Sequence, residues 1–212
     1  MRRVLLATGN PHKVAEIRRI LGGSWQVEAR DPGVEETGKT FEENALLKAR
    51  ALAEATGELA LADDSGIEID ALDGAPGVRS ARWTDEGDWI PRVLRELDGV
   101  PLPGRGARYV CAAAAVWPRG PAVSGEAARP ATGEAAAPPG AGEGGHEVVV
   151  RATVEGVVVT VPRGSGGFGY DPVVQPVEGD GRTFAEMTDE EKEALSHRGR
   201  AFRRLASLLE RA

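Results

Sequence analysis

A chain of 212 residues, 41% hydrophobic and 28% charged, is long enough to bury one sizeable core and does not require a second domain. Its formal charge of −7 argues against a general nucleic-acid binder, which needs a basic face to neutralise phosphates. Cys111 is the single cysteine, so no internal disulfide can form and packing must hold the chain together, as suits a reducing, cytoplasmic compartment.

The opening apolar run ends at Thr8-Gly9-Asn10-Pro11, far short of a membrane span, and Val4 to Ala7 reads as a first strand. Asn10 and Pro11 supply an N-cap and a first-turn proline for a helix whose Val14, Ile17, Ile20 and Leu21 share a face, and Gly22-Gly23 stops it. After an acidic loop, Thr40-Phe41-Glu42-Glu43 forms a capping box. It opens a helix with Phe41, Ala45, Ala49, Leu52 and Ala53 inward, ending near Gly57. Asn44 and Lys48, four residues apart, share another face of it. Leu59 to Ala62 and Ile67 to Ile69 read as strands on either side of Asp63-Asp64-Ser65-Gly66, and Tyr109 to Trp117 and Val148 to Val161 are extended. Glu190 to Glu210 is helical with an interruption around Ser196 to Gly199. The mixture specifies an α/β or α+β fold. Pro118 to Gly145 stands apart, with Val123 its one larger apolar residue. Such a stretch cannot offset its ordering entropy by burial and reads as a disordered Ala/Gly/Pro-rich insertion between two strands of a single domain.

Five segments carry residues suited to chemistry. Thr8-Gly9-Asn10-Pro11-His12-Lys13 sits at a strand-to-helix junction, where free N–H groups and the helix dipole favour an anion such as a triphosphate; an ordinary capped helix has the same appearance. The Walker pattern is missing, so an ordinary P-loop is excluded. In Asp63-Asp64-Ser65-Gly66, one carboxylate could hold a divalent cation and the other activate water while the hydroxyl donates to phosphate; equally, these are standard turn formers. The loop Glu35-Glu36-Thr37-Gly38 could add a metal oxygen or simply face solvent. Gly164 to Pro172 includes Phe168-Gly169-Tyr170-Asp171, in which two rings could flank a flat heterocycle or could pack in the core. Lys192 with His197 and Arg198 offers donors suited to oxygens on a purine, or a plain basic helix face.

Taken together, these motifs have a recognisable order. Thr8-Gly9-Asn10 with Lys13, Thr40-Phe41 with Glu43-Asn44-Ala45 and Lys48-Ala49, Ala62 to Gly66, Gly74 to Gly77 with Ser80-Ala81-Arg82, Phe168 to Pro172, and Ser196-His197-Arg198 succeed one another as in the inosine/xanthosine triphosphate pyrophosphatases. The chain resembles that family from Met1 to nearly Ala212. The resemblance implies a long central mixed sheet flanked by helices, two lobes with the active-site cleft between them, and a homodimer. It implies magnesium-dependent hydrolysis of non-standard purine nucleoside triphosphates (ITP, dITP, XTP) to the monophosphate and pyrophosphate, with neither nucleic acid nor membrane as partner. By position, Thr8, Gly9, Asn10, Pro11, His12 and Lys13 would hold the triphosphate. Asp64 would accept a proton and ligate Mg2+, with Glu35 as second ligand and Ser65 on substrate. Phe168, Gly169, Tyr170, Asp171, Lys192, His197 and Arg198 would surround the base. Two departures bear on the rim and the dimer surface: the insertion, and Trp83 to Ile90, which lacks the asparagine usual there in the family. From the residues alone, a non-hydrolysing nucleotide sensor and a pyrophosphatase for modified pyrimidine triphosphates remain open.

Overall fold

The computed structural model describes residues 2–84, 89–118 and 146–211. Strand β1 (Arg2–Ala7) leads into α1 (Pro11–Leu21), and the chain returns as β2 (Trp25–Arg30) before α2 (Phe41–Thr56) and β3 (Ala60–Ile69). Helix α3 (Trp89–Glu96), strands β4 (Gly106–Val116), β5 (Glu147–Val158) and β6 (Val174–Pro176), and helices α4 (Asp189–Leu195) and α5 (His197–Leu209) follow. The strands form one mixed sheet in the order β2-β1-β3-β4-β5-β6, parallel across β2-β1-β3 and antiparallel from β3 to β6.

Both expected helix starts are present. The Asn10 carboxamide accepts from the N–H groups of His12 (2.9 Å) and Lys13 (3.4 Å). Thr40 and Glu43 close a reciprocal capping box on α2. Ser196 ends α4 by donating its N–H to the Lys192 carbonyl (2.7 Å) and caps α5 by accepting from Gly199 (3.0 Å), which accounts for the interruption read from the sequence. Strand β2 and helix α3 were not anticipated. In Trp25-Gln26-Val27 the alternation of buried and exposed residues is present but only a few residues long.

Two apolar clusters sandwich the first half of the central strands. On one face, α1 and α5 cover Val4, Leu6, Leu61, Cys111, Ala113 and Ala115; on the other, α2 covers Leu5, Ala7, Ala60, Ala62, Ala112 and Ala114. The alanine run of β4 is poor in β propensity, but small side chains on both faces let helices close from either side. A third cluster gathers the far halves of β3, β4 and β5 with α3, Tyr170 and Phe184.

Along β3 the change from the first two clusters to the third falls at Asp63-Asp64-Ser65-Gly66. The sequence reading placed a turn there. Instead β3 runs without a break, pairing Asp63 with Ala113, Asp64 with Ala112 and Ser65 with Cys111. The polar residues therefore lie in mid-sheet, and the pleat sends Asp63 and Asp64 to opposite faces. Of the Pro118–Gly145 insertion, residues 119–145 lie outside the described residues. The strands on either side are paired up to Val116 and Glu147, and the Trp117 N–H donates to the His146 carbonyl (3.0 Å).

Candidate active site

A cleft of about 920 Å³ opens at the carboxyl end of β1, between α1 and α2. Because β1 sends the chain to β2 on one side and has β3 on the other, this is the topological crevice where α/β sheets bind ligands. Every sequence-predicted site residue lines it: Thr8 to Lys13, Glu35, Asp64, Ser65, Phe168 to Asp171, Lys192, His197 and Arg198.

At one end, Asp64 projects from β3 toward α2 and is 5% exposed. Its Oδ2 accepts from Asn44 Nδ2 (3.0 Å), its Oδ1 accepts from the Ser65 N–H (3.0 Å), and Lys48 Nζ stands 3.8 Å away. Burial pushes this carboxyl above the ordinary range, and the nearby Glu36 charge adds to the rise against the opposing pull of Lys48, Lys13 and Asn44. The face shared by Asn44 and Lys48, legible as an i, i+4 pair, thus serves Asp64.

Glu36 accepts from Lys48 Nζ (2.5 Å) and from Arg82, so two cations share one carboxylate. Glu35 lines the cleft but is exposed. The acidic neighbour whose charge bears on the Asp64 pKa is Glu36. Arg82 lies in a 3-10 turn, Gly77–Arg82, fastened to β3 by Ser80, whose hydroxyl accepts from the Ile67 N–H (2.9 Å) and donates to the Gly77 carbonyl (2.6 Å). Only glycine fits at position 66, where a Cβ would lie 2.6 Å from the Gly77 oxygen.

Asp63 does different work from its neighbour. Its Oδ2 accepts from Lys13 Nζ (3.0 Å), Ser65 Oγ (3.1 Å) and, at 3.4 Å, Arg198 Nε. Burial alone would raise its pKa, but Lys13, Arg198 and Lys48 hold it well below the usual carboxylate range. The suggestion that adjacent aspartates divide metal binding and water activation fails, because the pleat separates them. At the start of α1, Asn10 already satisfies the N–H groups of His12 and Lys13, and Thr8 Oγ1 accepts from Asn10 (3.1 Å). Affinity for an anion there must come from cationic side chains more than from free helix donors.

The other end is built on Phe168. Its ring stacks on His12 (5.2 Å between centroids, 19° between planes), with Lys192 Nζ 4.6 Å and the Arg198 guanidinium 5.5 Å from its centroid. Tyr170 sits deeper in the same wall. It is buried against Trp89 (6.1 Å) and its hydroxyl donates to the Ser80 carbonyl (3.0 Å), so of the two rings of this motif Phe168 is the more accessible. Asp171 is also an internal tie, accepting from Tyr109 Oη (3.1 Å), Lys192 Nζ (2.7 Å) and the Phe168 N–H (2.8 Å). A left-handed Gly167 (φ 68°) brings the Phe168 N–H round to that carboxylate.

Arg198 is 2% exposed, donating through Nη2 to Ser65 Oγ (2.8 Å) and through Nη1 to Glu16. Glu16 also accepts from Lys192 (2.8 Å). His197 stacks on Tyr109 (4.7 Å, 15°); burial first, then Arg198 and Lys192, depress its pKa well below the ordinary value, so the imidazole is neutral. Its buried Nδ1 has no hydrogen-bond partner among the described residues. Glu16 and Tyr109 escaped the sequence reading of the site. A carboxylate one residue before Ile17, on the inward side of α1, was the available signal for Glu16.

Among the described residues no group of three or more His, Cys, Asp or Glu side chains converges as a metal cage. Mg2+ does not need one, since it is usually held by one or two carboxylates with waters and substrate phosphates completing its shell. Asp64 and Glu36, joined through Lys48, are hard-oxygen donors that fit such a requirement.

The fold and cleft define a nucleotide-binding α/β protein with carboxylates and lysines at one end and an aromatic, donor-rich recess at the other. Residues 4–208 match the Ham1 family, and the chain belongs to it. It is 46% identical to a dITP/XTP pyrophosphatase of Frankia alni (98% of this chain, 96% of the relative) and 46% identical to one of Gloeobacter violaceus (98% and 94%). A solved HAM1 protein of Coxiella burnetii superposes with a TM-score of 0.77 at 33% identity over 100% of both chains. A nucleoside-triphosphatase / dITP/XTP pyrophosphatase of Mycobacterium abscessus gives 0.67 at 40% over 98% of each.

Proposed function

We propose that this chain hydrolyses non-standard purine nucleoside triphosphates such as dITP, ITP and XTP to the monophosphate and pyrophosphate. The observation that carries the reading is one cleft with Asp64, Glu36 and Lys48 at one end and the cation-flanked Phe168 ring at the other, in a chain whose close relatives are named for this activity.

In this reading water attacks the α-phosphorus, the bond to the α,β-bridging oxygen breaks, and pyrophosphate leaves. Asp64 takes the proton from the attacking water; its raised pKa makes it a stronger base than an ordinary carboxylate, and Asn44 fixes its orientation. Lys48 and Arg82, held by Glu36 in the free chain, and Lys13 offset charge on the phosphates. Asp64, with Glu35 or its neighbour Glu36 as the second oxygen donor, would hold magnesium, which would supply charge neutralisation of the triphosphate. At the base end, Phe168 stacks, while Lys192, Arg198 and the neutral His197 present donors to a C6 oxygen; adenine's C6 amino group would oppose them. Thr8 to Lys13 and Ser65 border the phosphates, whereas Tyr170 and Asp171 support the pocket from behind. We further infer two lobes about the cleft, a homodimer and a cytoplasmic location. The lobes fit the apolar clusters on either side of Asp63 to Gly66, and among the described residues no helix is long and apolar enough to cross a membrane.

Pyrophosphate release measured on a panel of purine and pyrimidine triphosphates, with and without magnesium, tests the activity. Fast release from inosine and xanthosine triphosphates alone supports it. Binding without release would favour a sensor, and preference for a pyrimidine would overturn the base assignment.

A further inference from the structure

We infer that Glu16 is a positioning residue for base selection, holding Lys192 and Arg198 so that their unused N–H groups face the cleft. The inference rests on the proposed reading of the pocket but concerns a residue outside its wall: Glu16 does not line the cleft. It is 6% exposed on α1 and reaches two cations on different helices, accepting from Lys192 of α4 through one oxygen and Arg198 of α5 through the other.

The chemistry of that bridge decides what the cations can do. Lys13, Asp63, Arg198, Glu16, Lys192 and Asp171 form a chain of alternating charge, three cations against three carboxylates. Among the described residues, Lys192 has three N–H donors and uses two, on Glu16 and Asp171; Arg198 has five and uses three, on Asp63, Glu16 and Ser65. The donors left over belong to side chains that line the cleft beside Phe168. Glu16 stands where it can set both which donors are spent and which remain. Among the described residues it is also the carboxylate bonded to both cations, so that they can lie side by side under one ring.

Glu16→Gln keeps the shape but places an amide N–H2 against one of two cationic donors, turning that cation away. Its kcat/KM for inosine triphosphate is expected to fall roughly ten- to a hundredfold, the worth of a charge-assisted hydrogen bond. That for adenosine triphosphate should change little, so the discrimination ratio collapses. Calorimetric binding of inosine monophosphate should weaken alongside, while inhibition by inorganic pyrophosphate should not. Glu16→Asp keeps the charge but cannot span both cations; an intermediate ratio is expected, and this variant decides the matter if the glutamine form does not fold. A folded variant with an unchanged ratio, or a loss equal for every base and for pyrophosphate, overturns the role of Glu16 while leaving the activity standing. A wild-type chain that releases no pyrophosphate from any triphosphate overturns both.

Discussion

Replacing each of two adjacent aspartates by asparagine should give opposite phenotypes. Asp63→Asn removes the charge that Lys13 and Arg198 share in a buried setting. Breaking a buried ion pair from one side costs about 3–5 kcal/mol, which for a chain of this size lowers Tm by roughly 6–20 °C. Asp64→Asn disturbs less. It keeps an acceptor for the Ser65 N–H and turns its N–H2 toward Asn44. Asn44 cannot flip freely, because its Oδ1 already accepts from Gly38 (2.8 Å). That lost bond costs about 1 kcal/mol, offset by removal of a carboxylate whose charged form burial disfavours, so stability should move by no more than about 1–2 kcal/mol. Turnover should fall by roughly 10²–10⁴ with the loss of the proton acceptor. Linkage separates the pair again. The depressed pKa of Asp63 contributes stability above its unfolded value of 3.8, lost as pH falls toward the native value; the raised pKa of Asp64 makes its contribution present in acid and lost as pH rises through it. Calorimetric melting from pH 3 to 8 and pyrophosphate release on both variants check this. A well-folded Asp64→Asn with near wild-type turnover, or an Asp63→Asn that melts like wild type, would refute the division of labour.

The pH dependence of kcat/KM should show an acid limb above the ordinary carboxylate value of 3.8, set by Asp64, and none from His197, whose pKa lies well below 6.5; a His197→Phe variant that shifted the limb would contradict this. The same variant keeps a ring to stack on Tyr109, so Tm should hold within about 2–4 °C while preference for keto bases declines, as a base panel would reveal. Arg198→Ala removes one of the two cations that Glu16 and Asp63 each hold, leaving Lys192 on the first and Lys13 on the second, so its loss of base preference should come with a fall of about 3 kcal/mol in stability, measurable by denaturant titration. Replacing residues 120–144 by a short Gly/Ser turn should leave Tm and kcat/KM nearly unchanged, because Val116 and Glu147 are already paired and closure entropy varies slowly with length. A large loss of activity would assign that segment a place over the site.

The sequence by itself determined what depends on local chemistry. Asn10-Pro11, the Thr40–Glu43 capping box and Ser196 start or punctuate helices because their side chains bond backbone a few residues away, and those bonds form in the fold as read. The residues lining the cleft were legible because they occur as compact motifs in a fixed order. Where each one stands and what it bonds were decided by tertiary structure. Asp63 and Asp64 are chemically identical in the sequence, and only the register of β3 against β4, with α1 and α5 on one face and α2 on the other, makes one a buried counter-ion and the other a carboxylate in the cleft. Phe168 and Tyr170 differ in the same way, one half-open and one buried in the cleft wall. Glu16 and Lys192 meet across 176 positions, and Glu36 and Arg82 across 46. Pairings of that reach follow from which helix covers which face of the sheet, a choice made by burial of the whole apolar surface rather than by any local pattern.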